Sequence, residues 1–98
     1  MRYLRVTWSH APTDEPVALL SELDDKNFEM RKVEIFADGH YSFADGEENS
    51  PSTILADLPL PPFKEIASDP QFLPEWISRA DFESVWNKAR LVAATTQE

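Results

Sequence analysis

At 98 residues, with 42% apolar residues and no cysteine, the chain has room for one modest core and excludes disulfides, thiol catalysis and thiolate metal ligation. Eighteen acidic residues against nine basic give a formal charge of −9, a field that repels phosphate backbones and disfavours direct nucleic-acid binding. With no apolar run of transmembrane length and no secretory leader in the opening residues, the expectation is a single domain over residues 1–98, cytoplasmic and mature from Met1.

Residues 2–9 alternate, with Leu4, Val6 and Trp8 on one side and Tyr3, Arg5 and Thr7 on the other, the period-2 pattern of a half-buried strand. Residues 11–16 hold two prolines beside Asp14 and Glu15 and read as a loop. A second strand covers 17–23, and Asp24-Asp25-Lys26-Asn27 turns it into a third, from 28 to about 36. Inside that strand the apolar phase slips, since Phe28 and Met30 share one parity while Val33 and Ile35 share the other. A β-bulge near Arg31 and Lys32 restores a common face. At Phe36-Ala37-Asp38-Gly39 a two-residue turn mixes apolar and polar residues on both faces. A three-residue loop with Gly39 left-handed pairs Val33 with Phe43 and Ile35 with Tyr41, and is therefore expected.

Residues 45–53 contain almost nothing apolar and read as a mobile surface loop. Pro61 and Pro62 open a short helix over 63–68 that must stop before Pro70. A longer helix over 79–93 carries the clearest local signal: Ser78 as its cap, Asp81 at the third helical position, and Ile77 with Phe82 as a hydrophobic staple. Phe82, Val85, Trp86, Ala89 and Val92 recur at helical spacing along it, and a frayed tail follows. The elements compose an α+β domain, a four-stranded antiparallel meander with two C-terminal helices packed on one face. In that arrangement Leu4, Val6, Trp8, Leu19, Leu23, Phe28, Met30, Val33, Ile35, Tyr41 and Phe43 face Phe63, Ile66, Phe82, Val85 and Trp86.

The blocks MRYLRVTW, EPVALLSELDD, RKVEIFADG, LPPFKEIASDPQF and ISRADFESVW, in this order across residues 1–90, resemble a family of short uncharacterised bacterial proteins classed as a domain of unknown function. The resemblance implies a compact bacterial cytoplasmic domain and carries over no catalytic or binding residue.

Chemistry has few candidates. His10 and His40 are the only histidines, close to Asp14, Glu15 and Asp38, but they do not form a pair at metal-ligand spacing, and neither metal nor cofactor is expected. No serine occupies a G-x-S-x-G turn, and Gly39 and Gly46 alone cannot build a phosphate-cradling loop. Glu22 and Glu29 are more simply partners of Arg5 or Arg31 than an acid/base pair, so the inventory leans away from an enzyme.

With the helices over Val33 and Tyr41, the opposite sheet face presents Tyr3, Arg5, Thr7, Leu20, Glu22, Arg31, Phe36 and His40, a mixture of apolar and charged groups typical of interface centres. The loop acids Asp24, Asp25, Asp45, Glu47 and Glu48 suit a basic partner, as when an immunity protein meets a nuclease toxin, although plain solvation accounts for such charges too. Two functions follow. The first is a non-enzymatic protein-binding module, immunity- or antitoxin-like, contacting a basic protein partner through Tyr3, Arg5, Leu20, Glu22, Asp24, Asp25, Phe36, His40, Glu47 and Glu48, with homodimerisation through the same face as a variant. The second is a small-molecule-binding or catalytic domain with a pocket near His10, Trp8 and His40.

Overall fold

A computed structural model describes residues 1–49 and 53–95; the tip of the expected 45–53 loop and the end of the expected tail lie outside them. The strands β1 (Arg2–Trp8), β2 (Pro16–Leu23), β3 (Glu29–Phe36) and β4 (Tyr41–Ala44) form the antiparallel meander, and α1 (Phe63–Ala67), β5 (Phe72–Ile77) and α2 (Arg79–Thr95) follow. The described sheet has five strands rather than four, ordered β4-β3-β2-β1-β5. The added strand pairs with β1 from Tyr3↔Ile77 to Trp8↔Phe72, with Pro74 opposite Val6. Proline gives no N–H to a ladder, so FLPEWI does not read as a strand, yet an edge position with one side unpaired accommodates it.

The expectation of two helices on one face is likewise overturned. The connection from β4 to β5 crosses one face of the sheet and carries α1, whereas α2 returns across the other. Phe82, Trp86 and Ala89 of α2 close a core with Tyr3, Ala18, Leu20, Val33 and Phe43. On the opposite side α1 packs beside β5 and borders one groove with Val6 and Leu19, and its Phe63 stacks on Trp76 with ring centroids 5.3 Å apart.

Register explains the exchange. Tyr3 stands opposite Glu22 and Glu22 opposite Arg31; Arg5 stands opposite Leu20, Leu20 opposite Val33, and Val33 opposite Phe43. These rows put Tyr3 and Leu20 on the same face as Val33, and Leu4, Val6 and Leu19 on the other. β1 and β2 bear large apolar residues on both sides, so alternation within each strand does not reveal which side continues into β3.

The bulge falls one step earlier than expected. Pairing passes from Glu22↔Arg31 to Leu23↔Glu29, leaving Met30 as the extra residue, and this turns Glu29 toward the side of Lys32. The β3–β4 connection has the anticipated pairs Val33↔Phe43 and Ile35↔Tyr41, with Gly39 left-handed at φ 91°. At the start of α2 the Asp81 amide donates to Ser78 Oγ at 3.0 Å, the anticipated cap, and the helix continues two residues past the expected end. Phe82 packs 5.2 Å from Tyr3 between ring centroids, and Phe43 meets Trp86 edge-on at 5.4 Å.

Candidate functional site

Under α2 the sheet face is covered at Tyr3, Leu20 and Glu22, with a hollow of about 450 Å³ left between Arg5 and Val85 toward the β5 edge. Tyr3 is 7% and Leu20 1% exposed, and Glu22 is buried beside them. Arg31 donates through Nε and Nη2 to the two oxygens of Glu22 at 2.9 and 2.8 Å, and through Nη1 and Nη2 to those of Glu83 at 2.9 and 2.7 Å. Its guanidinium also lies 4.9 Å from the Phe82 ring and 5.0 Å from that of Trp86. Tyr3 donates its hydroxyl to Glu22 at 3.0 Å. The Arg31 hydrogen bonds hold the carboxyls of Glu22 and Glu83 below the usual range, and the same bonds raise Arg31. Burial, then the bond to Glu22, pushes the Tyr3 phenol up. This cluster is a pin between sheet and helix, so Tyr3, Leu20 and Glu22 do not form the open contact face expected of them; Arg31 is consumed in the same way.

The other expected contact residues are dispersed. Arg5 is half-buried near the β5 edge, 3.9 Å from Glu75. Phe36 stacks on His40 at 4.2 Å, and His40 pairs with Asp38, whose carboxylate also accepts the His40 amide. A hollow of about 350 Å³ adjoins them, lined also by Thr13 and Asp14. His10 and Trp8 take no part in it; Trp8 packs against Phe72 with the rings tilted and their centroids 5.5 Å apart, and donates to Gln71. Asp24 closes the β2–β3 turn by accepting the amides of Lys26 and Phe28, both at 2.9 Å. Asp25 and Glu47 are exposed, and Glu48 accepts a bond from Arg90 at 3.0 Å. Because β4 ends where β3 begins, the two acidic groups share one end of the sheet.

A groove of about 380 Å³ opens on the face away from α2. Val6 of β1 and Leu19 of β2 form its floor. Ile66 of α1, Phe72 of β5 and Leu60 wall it. At one end Glu29 is buried, accepting from Ser21 Oγ at 3.0 Å and from the Ala56 amide at 2.8 Å, with Lys32 Nζ 3.1 Å away. Lys32 in turn donates to the Ile54 carbonyl at 3.0 Å, and buried Thr53 bonds both Ser42 and Glu34. Residues 53–56 are thus strapped to β3 and β4 by polar side chains, and among the described residues no buried side-chain nitrogen or oxygen lacks a partner. Glu65 and Asp69 stand at the groove as well. The strap leaves Ile54 71% and Leu58 74% exposed, and Trp76 is 45% exposed on the same side of the sheet.

Reading the sequence for sites misses this groove. The legible signal is the second apolar row, Leu4, Val6, Trp8 and Leu19, which needs a cover that α2 cannot provide once it packs on Tyr3 and Leu20. The segment LPLPPFKEI is the remaining apolar stretch able to supply it.

No curated protein and no solved structure matches the chain. The family model described as Domain of unknown function (DUF6881) matches residues 2–91, a span holding all five strands, α1 and most of α2, and the chain therefore belongs to that family.

Proposed function

We propose that the protein is a non-enzymatic binding module that takes a protein partner on the groove and strap side of its sheet. The supporting observation is the apolar groove with Ile54, Leu58 and Trp76 exposed on the same side. Large apolar side chains gathered beside a concavity are the usual setting for an anchor residue from a partner. A net charge of −9 accelerates encounter with a basic partner, in keeping with an immunity- or antitoxin-like role in a bacterial cytoplasm.

Panning a random peptide library on the intact protein tests the reading. Retained peptides should move the amide resonances of Leu19, Ile66 and Phe72. A library that yields no binder, or binders that perturb only the His40 turn or the α2 face, contradicts it.

A further inference from the structure

Resting on that reading of the groove, we propose that its occupant is a protein segment in which one bulky aliphatic or aromatic side chain is flanked by lysine or arginine. Four titratable side chains line the groove: Glu29, Lys32, Glu65 and Asp69. Glu29 and Lys32 neutralise each other at 3.1 Å at its buried end. Glu65 and Asp69 have no ion-pair partner among the described residues; Asp69 accepts only neutral donors, the Gln71 amide at 3.1 Å and its side-chain nitrogen at 3.3 Å. The apolar floor of Val6 and Leu19 is therefore bordered by two uncompensated carboxylates, one on α1 and one in the turn that follows it.

That pairing of surfaces selects among occupants. An acidic segment meets repulsion from Glu65, Asp69 and the whole chain. A purely apolar segment desolvates the carboxylates without offering them a donor. A segment with a cation next to its anchor fills the floor and satisfies the border together. Exposed Ile54 and Leu58 on the strap extend the contact beyond what a small amine covers, which favours a polypeptide over a metabolite.

Peptides selected from a random library on the intact protein, and mapped to the groove by amide shifts, supply the test. Lysine or arginine should be enriched beside Leu, Ile, Phe or Trp in these peptides. Against Glu65→Lys their Kd, read by fluorescence anisotropy, should rise roughly tenfold at low salt, with the difference shrinking as salt is added. Asp69→Asn keeps the oxygen that receives the Gln71 amide and should weaken binding in the same sense. Groove-bound peptides with no basic enrichment, or affinities unmoved in both variants, overturn the inference while leaving the partner reading in place. Failure to recover any groove-bound peptide removes both.

Discussion

Arg31 on β3 and Glu22 on β2 are paired residues of adjacent strands, and the guanidinium donates to both oxygens of the carboxylate. The same guanidinium makes a second two-point contact with Glu83, so one side chain of the sheet fixes the position of α2. Removing Arg31 leaves Glu22 buried with only the Tyr3 hydroxyl to satisfy it. Arg31→Met should therefore cost about 3 kcal/mol, measured by urea unfolding. Arg31→Lys should restore only part of this, because a point charge cannot reproduce the fork. Equal stability of Arg31→Met and the parent would refute the pin.

The pin sets a pH window. Folding favours ionised Glu22 and Glu83, so their contribution is complete above the ordinary value of 4.5 and is lost as pH falls through their lower folded values. Tyr3 behaves oppositely: folding keeps it neutral, so stability is unaffected below its ordinary value of 10.0 and declines as pH rises beyond it. Urea midpoints followed across the acid range should fall less steeply in Arg31→Met than in the parent, since the variant has lost the bonds that depress both carboxyls. Parallel acid limbs would assign the pH dependence elsewhere.

On the other face, Glu29 holds the strap. Glu29→Ala strands the Ala56 amide, Ser21 and Lys32, at a cost of about 2 kcal/mol, and should accelerate hydrogen exchange at Ala56. Glu29→Gln keeps an acceptor oxygen and should do less. An Ala56 amide equally protected in Glu29→Ala would show that the strap is held by other contacts.

Core and surface separate by the same measurement. Phe82 is fully buried between Tyr3 and Trp86, and Phe82→Ala should cost about 4 kcal/mol. Leu58, on the exposed strap, should tolerate change to Ser within about 0.5 kcal/mol of thermal or urea stability. A large loss at Leu58 would mean that it supports the fold instead of facing a partner.

Local chemistry made much of this fold legible. The Ser78 cap, the Gly39 loop with its Val33–Phe43 pair, and the need for a bulge in β3 all depend on residues within a few positions of each other. What was hidden depends on distant pairing. β5 was masked by Pro74, whose missing N–H argues against a strand until an edge is known to be there. The choice of face was ambiguous because Tyr3 and Leu4, like Leu19 and Leu20, are adjacent apolar residues pointing opposite ways, and only the rows through Glu22–Arg31 and Leu20–Val33 decide between them. Alternation alone therefore puts Tyr3, Leu20 and Glu22 on an open surface and gives no sign of the groove over Val6 and Leu19. Loop acids such as Asp25 and Glu47 are exposed, as polar residues in turn-forming segments generally are.

Carbodiimide labelling of carboxylates in the native protein, read residue by residue by mass spectrometry, tests most directly which face is closed. With α2 pinned over Tyr3 and Glu22 and the groove left open, Glu65 and Glu47 should label rapidly while Glu22 stays protected until unfolding. Labelling of Glu22 at the rate of Glu65 would contradict the closed face and, with it, the placement of the partner site.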